Sequence, residues 1–337
     1  MTKPMAATGP GKALITGAAG FIGSHLADLL LAEGYEVAGI DNFATGRPEN
    51  VQHLAGNPKF SLTVADICDQ AAIAPCFAGA DVVFHLAALA DIVPSIVAPQ
   101  AYFHANVDGT FAVLEAARAA GIKRFLYVAS SSCYGIPDVY PTPETAAIRP
   151  QYPYALTKWL GEQMAMHWCQ IYKLPVVSLR LFNVFGPRAR TSGTYGAVFG
   201  VFLAQRLAGK PLTIVGDGAQ TRDFTYVTDV ARAMLLAVRS DLSGQIMNVG
   251  SGGHYSVNAL AEMIGGERVN IPKRPGEPDC TFADIGKITE LLSWRPLVPF
   301  AQGVELVLQN IESWRKAPVW TPDSIAEATR DWFKYLS

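Results

Sequence analysis

The sequence contains little charge and no long apolar run. Acidic and basic residues make up 17% of its 337 residues, and 29 acidic against 27 basic side chains leave a formal net charge of -2. A chain so nearly neutral offers no general basic surface, and we expect no nucleic acid partner. No apolar run reaches the roughly 18 residues of a membrane-spanning helix, and residues 1–12 lack the apolar core of a signal peptide. We therefore expect no membrane partner either.

Cysteine is sparse as well, and its spacing suits neither a disulfide framework nor a metal site. No C-x-x-C pair occurs among the five cysteines, and the six histidines form no ligand cluster. This pattern predicts free thiols in a reducing cytoplasm, without a metal. The five are Cys68, Cys76, Cys133, Cys169 and Cys280.

The sequence does contain a glycine-rich turn between a strand and a helix. Ala13–Thr16 is a short apolar run typical of a buried strand, and the apolar spacing from Phe21 predicts a helix. Gly17 allows a tight turn, Gly20 lets the backbone approach a pyrophosphate, and Gly23 lets helix and strand pack closely. The helix N-terminus adds free N–H groups for the anion. The spacing G-x-x-G-x-x-G also occurs in ordinary strand–turn–helix units, but here we predict a dinucleotide site.

An acidic residue follows the second predicted strand. Residues 36–40 form that strand and Asp41 ends it, at the distance of about 20 residues past the glycines where a carboxylate binds the ribose. This carboxylate would repel a 2′-phosphate, which favours NAD over NADP. Arg47 lies close by in sequence and offers the alternative, a cation for that phosphate. Asp66-Ile67 closes the third predicted strand and His85–Ala88 the fourth, and we expect His85 to be a packed strand residue.

Strand-like and helix-like segments alternate up to about residue 180. This order predicts an α/β fold with a doubly wound parallel sheet of the Rossmann type. After Phe182 the sequence becomes rich in loops, and we expect a smaller α/β C-terminal substrate lobe interleaved with the last sheet elements. In the tail, Thr321 and Pro322 are typical of a helix start. The predicted division is an NAD-binding domain at 1–182, a substrate lobe at 183–313 and a helical tail at 314–337.

Three residues carry the expected chemistry. Tyr154 and Lys158 lie four apart on a helix that Pro153 opens, so they share one face. A free phenol, with a pKa of about 10, is a poor base at neutral pH, and a nearby ammonium stabilises the phenolate. Ser130 follows a predicted strand and can share the proton of a substrate alcohol with the phenol. We predict Ser130, Tyr154 and Lys158 as the catalytic residues; the alternative is a chance pair on an exposed helix.

With these motifs in this order, the chain resembles the extended short-chain dehydrogenase/reductases that act on nucleotide sugars. The resemblance implies a Rossmann domain that keeps NAD bound through each turnover, and a C-terminal lobe that binds a nucleoside diphosphate sugar. It also implies a homodimer formed through the helices near Asn106–Ala120 and Pro153–Tyr172. The matching segments include Thr16–Gly23, Asp41-Asn42, Asp66-Ile67, His85–Ala88, Ser130–Gly135, Tyr154–Lys158, Arg180–Arg188, Thr221–Asp229, Asn248–Gly250 and Arg274–Glu277.

The resemblance implies the binding residues as well. Arg222 and Arg274 match diphosphate-binding arginines of the family, whose planar forks suit phosphate oxygens. For Arg188 and Asn183 a substrate contact and a solvated surface position both stay open. The residues implied for NAD are Gly17, Gly20, Phe21, Ile22, Gly23, Asp41, Asn42, Asp66, Ile67, Leu86, Ala87, Ala88, Asn106, Tyr154 and Lys158. Those implied for the sugar nucleotide are Ser131, Ser132, Asn183, Arg188, Arg222, Arg274 and Thr281.

Two serines bear on the reaction within that family. Ser131 and Ser132 stand where its 4,6-dehydratases typically carry Asp and Glu, the acid and base that eliminate water. Decarboxylases of UDP-glucuronate usually carry Glu at the position of Ser132. The resemblance is therefore to 4-epimerases of UDP-hexoses, which are NAD-dependent and act through a transient 4-keto sugar. A dehydratase, a UDP-glucuronate decarboxylase or 4-epimerase, and a non-catalytic NAD-binding sensor stay open as alternatives.

Thr281 is the residue expected to select the sugar. At the aligned position in the family, a bulky aromatic side chain restricts the site to plain hexoses, and a small one leaves room for an N-acetyl group. The resemblance thus implies UDP-GlcNAc and UDP-GalNAc as substrates, in the supply of sugars for surface polysaccharide. Arg188-Ala189-Arg190 can instead meet the carboxylate of a uronic acid.

Overall fold

The computed structural model describes residues 10–190 and 195–336. The strands in this part of the chain are β1 (Lys12–Thr16), β2 (Glu36–Asp41), β3 (Phe60–Val64), β4 (Val82–His85), β5 (Arg124–Ser130), β6 (Val176–Leu181), β7 (Val184–Phe185), β8 (Leu212–Val215), β9 (Thr221–Arg222), β10 (Thr225–Tyr226), β11 (Gln245–Val249), β12 (Tyr255–Ser256) and β13 (Arg268–Ile271). Seven of them form one sheet in the order β3-β2-β1-β4-β5-β6-β11, and all neighbours are parallel. The predicted doubly wound sheet of the Rossmann type is confirmed.

Helices connect and cover these strands. The helix predicted over 153–172 is confirmed. It begins at Pro153 because proline preorganises the first turn of a helix. The helix predicted from Asn106 begins with a π-helical turn, His104–Asp108, before it continues as an α-helix. The α-helices are α1 (Phe21–Ala32), α2 (Gln70–Ile73), α3 (Ile92–Val97), α4 (Pro99–Phe103), α5 (Gly109–Ala119), α6 (Pro153–Tyr172), α7 (Val198–Leu207), α8 (Val227–Arg239), α9 (Val257–Ile264), α10 (Gly286–Leu292), α11 (Phe300–Gln309), α12 (Pro322–Ala328) and α13 (Arg330–Tyr335). Among the described residues, no helix combines the length and apolarity needed to cross a bilayer.

Alternate residues of the central strands pack on opposite faces of the sheet, as the strand period of two requires. In β5, Leu126 and Val128 belong to an apolar cluster with side chains of α1 and α8. Phe125 and Tyr127 belong to a second cluster, with side chains of α5. Because helices cover both faces, the carboxyl ends of the strands are the part of the sheet open to a ligand.

Residues after 182 build a second apolar core and also complete the main sheet. The rings of Phe224 and Phe300 stack in this core with centroids 5.1 Å apart, and Phe185 meets Phe300 edge-on at 5.7 Å. However, β11 extends the main sheet beside β6, and α8 packs on α1. The boundaries at 182/183 and 313/314 stay predictions, and elements from beyond 182 contribute to both cores.

The tail forms the short helices that its sequence predicts. The hydroxyl of Thr321 accepts a hydrogen bond from the backbone N–H of Ser324 at 3.2 Å, and Pro322 occupies the first helical position of α12. Trp332 of α13 is 2% exposed. The tail is therefore packed on the body, as expected for a structural end of the chain.

Candidate active site

A cavity of about 680 Å³ lies at the carboxyl ends of the central strands and extends to the second apolar core. Its walls include the glycine turn, the ends of β2 and β5, the segment after β4 and the first turn of α6. The strand order reverses between β1 and β4, and open parallel sheets bind ligands at such a point. The predicted dinucleotide motif and the predicted Tyr154 helix therefore meet in one cavity.

The glycine turn has a shape that other residues would obstruct. Gly17 has a φ of +76°, and a Cβ there would lie 2.9 Å from the backbone N of Ala87. A Cβ on Gly23 would lie 2.1 Å from the carbonyl O of Gly17. Gly20 is the N-cap of α1, and no side chain caps the helix before Phe21. A backbone cradle without side chains, followed by an open helix N-terminus, fits a pyrophosphate.

Asp41 lies at the end of β2, beside this turn. Its carboxylate accepts hydrogen bonds from the backbone N–H groups of Ala19 at 2.9 Å and Phe43 at 2.8 Å. Burial raises the pKa of Asp41, and these two hydrogen bonds oppose the rise. The residue also lines the cavity, where a ribose hydroxyl can reach it. Arg47, the alternative ligand for a 2′-phosphate, donates to the side chain of Asn50 at 3.1 Å.

Asn42, Asp66 and Ile67 line the cavity next to Asp41. The side-chain amide of Asn42 donates to the carboxylate of Asp66 at 2.9 Å. The predicted ends of the third strand at Asp66-Ile67 and of the fourth at Ala88 are wrong, because β3 ends at Val64 and β4 at His85. Beyond β3 the carboxylate of Asp66 accepts from the N–H of Cys68 at 2.8 Å in a local turn, which also lowers the pKa of Asp66.

His85 is the packed strand residue that we expected. Its Nδ1 lies 2.7 Å from the hydroxyl of Thr16, and its Nε2 lies 2.9 Å from the hydroxyl of Thr110. Burial lowers the pKa of His85 to about 3, which keeps the ring neutral. Thr16 in turn accepts from the N–H of Ala87 at 3.2 Å. His85 therefore supports the segment Leu86–Ala88, which lines the cavity.

Asn106 supports the cavity wall from behind. Its side chain accepts from the N–H of Leu89 at 2.8 Å and donates to the carbonyl of Leu89 at 3.0 Å. It also donates to the hydroxyl of Thr157 on α6 at 3.0 Å. Leu89 lines the cavity, whereas Asn106 is buried and is not one of the lining residues. The structure thus places Asn106 as a link between the segment after β4 and α6.

Ser130, Tyr154 and Lys158 come together where β5 ends and α6 begins, and all three line the cavity. The hydroxyl of Ser130 lies 2.8 Å from the hydroxyl of Ser132, and it is close enough to the phenol of Tyr154 to affect the pKa of that group. Lys158 is buried one helical turn from Tyr154, with its Nζ 4.5 Å from the ring centroid of Tyr127. The three predicted catalytic side chains are therefore brought to one place.

Burial shifts the two titrating groups of this cluster in opposite directions. It raises the pKa of Tyr154, and the hydrogen bond with Ser130 opposes the rise. It lowers the pKa of Lys158 to about 7, and the carboxylate of Glu162 opposes the fall. Both shifts disfavour the charged form of a group that stands alone, and an ammonium near a phenol favours the phenolate. The cluster can hold a proton at the phenol oxygen or release it.

Arg222 and Arg274 share one carboxylate. Nη2 of Arg222 lies 2.7 Å from Oε1 of Glu277, and Nη1 of Arg274 lies 3.6 Å from Oε2 of the same residue. Arg274 also donates to the hydroxyl of Tyr195. All four side chains line the cavity. Because two guanidinium groups share one carboxylate, the cluster keeps a net positive charge, which suits a diphosphate.

Asn183 and Thr281 form another part of the wall. The hydroxyl of Thr281 donates to Oδ1 of Asn183 at 2.7 Å and accepts from the N–H of Asp223 at 3.1 Å. Both residues line the cavity together with Ser131 and Ser132, which begin the 3₁₀ turn after β5. The predicted sugar-binding residues are thus in one cavity, with a small side chain at position 281.

Arg188 and Arg190 are both paired with aspartates. Nη1 of Arg188 lies 2.7 Å from the carboxylate of Asp28 on α1, and Arg190 is paired with Asp91. The carbonyl of Arg188 accepts from the guanidinium of Arg47 at 3.2 Å. These contacts place Arg188 beside the glycine turn, apart from the two arginines that share a carboxylate.

Several lining residues were not singled out from the sequence. They are Tyr152, Tyr195, Glu277, Trp320 and Trp332. Glu277 lies in the segment Arg274-Pro275-Gly276-Glu277. Its position three residues after an arginine is the sequence feature that could have identified it as a site residue. The aromatic residues carry no local pattern that distinguishes a cavity wall from a core.

Comparisons with known proteins agree with this geometry. The model of the NAD dependent epimerase/dehydratase family matches residues 13–250. The chain is 37% identical to the UDP-glucose 4-epimerase of Mycolicibacterium smegmatis, over 87% of this chain and 96% of that protein. It is 34% identical to the UDP-glucuronic acid 4-epimerase from Bacillus cereus, solved with UDP-glucuronic acid and NAD (TM-score 0.83, covering 90% of this chain and 99% of that chain). It is 30% identical to the UDP-N-acetylglucosamine 4-epimerase from Methanobrevibacter ruminantium M1, solved with UDP-N-acetylmuramic acid (TM-score 0.83, covering 90% of this chain and 100% of that chain).

Proposed function

Because this chain belongs to the NAD dependent epimerase/dehydratase family, we propose that it is a 4-epimerase of UDP-hexoses, with UDP-GlcNAc and UDP-GalNAc as its substrates. One observation carries the proposal. The same cavity is lined by Ser130, Tyr154 and Lys158 and by the two arginines that share Glu277. A proton acceptor for a sugar hydroxyl and a site for a diphosphate, held in one cavity, are what oxidation of a nucleotide sugar requires.

The enzyme uses NAD, as its family does, and the glycine turn fits this cofactor. In our proposal the N–H groups at the start of α1 hold the pyrophosphate, and Asp41 accepts from the ribose hydroxyls. Lys158 contacts the nicotinamide ribose, and Leu86–Ala88 form the wall next to it. NAD bound there would supply the reversible acceptor for a hydride from the sugar C4.

Tyr154 handles the proton of this reaction. As phenolate it accepts the proton of the 4-hydroxyl while the C4–H bond breaks and the C4–O bond becomes a carbonyl. Ser130 donates a hydrogen bond to the 4-oxygen, and Lys158 balances the charge of the phenolate. The 4-keto sugar then turns in the cavity, the C–H bond forms on the opposite face, and Tyr154 returns the proton to the 4-oxygen. The result is inversion at C4 with no net change of oxidation state.

Ser131 and Ser132 argue against the related eliminations and decarboxylation. Water elimination needs an acid and a base at these positions, and a hydroxyl serves as neither at neutral pH. The hydroxyl of Ser132 is also engaged with Ser130 at 2.8 Å. Epimerisation needs no acid or base at positions 131 and 132, and therefore fits this pair of serines.

The phosphate-binding set follows from the pairing of the arginines. We assign the diphosphate to Arg222 and Arg274, with Asn183 beside the sugar. Arg188 is engaged with Asp28 near the glycine turn, so we assign it to the cofactor end of the cavity. This assignment differs from the role that the family resemblance implies for Arg188.

The N-acetyl preference rests on Thr281. This small side chain lines the cavity and leaves space where an aromatic residue would fill it. Its hydroxyl is held by Asn183, so the side chain is kept in place. A uronic acid would need a cation for its carboxylate, and Arg190, which lines the cavity, already neutralises Asp91. These contacts support a neutral hexose.

We also propose that the enzyme is a homodimer formed through α5 and α6. Phe111 of α5 is 47% exposed and Tyr172 of α6 is 49% exposed. Both rings contact Trp168, at 5.8 and 5.4 Å between centroids, so the three form one aromatic surface across the two helices. An exposed apolar surface of this kind is typical of a protein interface.

Proton NMR of the purified protein with UDP-GlcNAc, without added cofactor, tests the function. We expect UDP-GalNAc to appear, because NAD stays bound. Tyr154→Phe should abolish turnover, by about 10³-fold or more, while the NAD released on denaturation stays equal to that of wild type. If only UDP-Glc or UDP-glucuronate is converted, the N-acetyl preference is wrong; a pentose product with carbon dioxide would identify a decarboxylase. Full turnover by the Tyr154→Phe enzyme would exclude the proposed base.

A further inference from the structure

We propose that Trp332, in the C-terminal tail, is a positioning residue for Arg274 and so for the binding of the nucleotide diphosphate. The tail lies beyond residues 13–250, which the family model matches. This inference rests on the proposed function, because the ligand it concerns is a uridine diphosphate group. It adds a part of the chain that the resemblance leaves without a role.

The tail contributes directly to the wall of the cavity. Ala317, Pro318, Trp320 and Trp332 all line it. Trp332 is 2% exposed, and its indole N–H donates to the carbonyl of Pro275 at 2.7 Å. Because Pro275 follows Arg274 in the chain, this bond fixes the indole ring to the backbone next to the arginine.

The guanidinium of Arg274 contacts two aromatic rings. Its Cζ is 4.7 Å from the ring centroid of Tyr195 and 5.5 Å from that of Trp332. A planar cation that contacts two rings has few rotamers open to it, and both contacts are attractive. In this orientation Nη1 faces Glu277, the carboxylate that Arg222 also contacts. Trp332 therefore holds Arg274 where the two arginines converge on one anion.

Trp332 is itself held from a second side. Its ring centroid lies 6.2 Å from that of Tyr152, which stacks in turn on Tyr154 at 6.5 Å. The indole is thus fixed between the body and Arg274, whereas the reacting 4-oxygen belongs at Tyr154. Loss of the indole should therefore weaken ligand binding, seen as a higher KM, and leave kcat nearly unchanged.

Calorimetric titration of the NAD-containing, full-length enzyme with UDP tests this role. We expect Trp332→Ala to weaken UDP binding about tenfold, as the loss of a desolvated cation–π contact implies. Trp332→Phe should retain most of the affinity because it keeps a ring. Trp332→Leu keeps apolar volume without a ring and should bind UDP as weakly as Trp332→Ala does. This variant keeps the test valid if Trp332→Ala fails to fold. Tyr335→Ala, at a 62% exposed ring of the same helix, is the matched control and should bind UDP like wild type.

A double-mutant cycle with Arg274→Met separates positioning from general damage to the fold. If Trp332 acts through Arg274, then Trp332→Ala causes no further loss of affinity when Arg274 is already replaced. A wild-type affinity in Trp332→Ala and Trp332→Leu, or an undiminished tenfold loss in the Arg274→Met background, overturns the inference. If the wild-type enzyme does not bind UDP at all, the proposed function itself is wrong. This result distinguishes failure of the proposed function from failure of the inference about Trp332.

Discussion

Lys158 and Tyr154 show how a single residue's environment sets the chemistry of the site. Burial lowers the pKa of Lys158 to about 7 and raises that of Tyr154, so burial disfavours the charged form of each side chain. We expect Lys158→Met to lower kcat at pH 7 about 10²-fold, because the phenolate loses its counter-charge. The acid limb of the kcat–pH profile should move to higher pH, since the pKa of Tyr154 rises further.

The profile is to be measured beside that of Lys210→Met, which removes an exposed lysine. That control should reproduce the wild-type curve. A Lys158→Met profile that coincides with wild type over the whole pH range would show that Lys158 does not tune Tyr154.

His85 predicts a pH dependence of stability. Its pKa is about 3 in the folded protein, below the value of about 6.5 in an unfolded chain. Between pH 6.5 and pH 3, His85 therefore binds a proton in the unfolded state but not in the folded state. The free energy of unfolding consequently falls as the pH falls from 6.5 towards 3. Relative to His85→Gln, wild type should lose about 2 kcal/mol of unfolding free energy between pH 7 and pH 5.

Denaturant unfolding of both proteins at these two pH values checks the prediction. The comparison is made on the change with pH, so the cost of the substitution itself cancels. Equal changes in the two proteins would mean that His85 is protonated in the folded state.

At the scale of elements, one buried ion pair ties the catalytic helix to the sheet. Nη2 of Arg180 in β6 lies 2.6 Å from the carboxylate of Glu162 in α6, and both side chains are almost fully buried. Arg180 also donates to the hydroxyl of Tyr134 at 2.9 Å, and Tyr134 donates to Asn248 of β11 at 2.7 Å. This network holds α6 at the height of the strand ends where Tyr154 faces the cavity.

Glu162→Gln should lower the free energy of unfolding by about 3–5 kcal/mol, because Arg180 is left buried without its counter-charge. Urea denaturation measures the loss. The double variant Glu162→Gln/Arg180→Met removes both charges, and we expect it to be more stable than Glu162→Gln alone. A double variant with additive losses would show that the two side chains do not stabilise each other.

At the scale of the whole molecule, the aromatic surface on α5 and α6 predicts how copies associate. Wild type should elute as a dimer in size-exclusion chromatography with light scattering. Phe111→Glu places a charge in the middle of the proposed interface and should give a monomer that keeps its fold. Met263→Glu alters a 40% exposed apolar residue on α9 and serves as the control. A monomeric wild type, or a dimeric Phe111→Glu variant, contradicts the interface.

The local elements of this protein were predictable from its sequence. The glycine turn, the strand ending at Asp41 and the helix from Pro153 follow from neighbouring residues, because turn geometry, strand burial and helix starts depend on only a few positions along the chain. The family resemblance implied the sugar-nucleotide residues; all of them line the cavity, and their roles stay predictions. Asp66 was misplaced because it belongs to a turn after the strand, where its carboxylate accepts from the N–H of Cys68.

Only the tertiary structure decided which distant segments of the chain contact each other. Glu277 meets Arg222 across 55 positions, and Trp332 reaches the backbone of Pro275 across 57. No sequence periodicity predicts contacts between residues so far apart in the chain, since these contacts depend on how the second core and the tail pack against the sheet. The sequence by itself therefore determined the sheet, the cofactor turn and the catalytic helix through short-range physics. The shape of the sugar-nucleotide wall arose only from long-range packing, which places side chains from separate elements around one cavity.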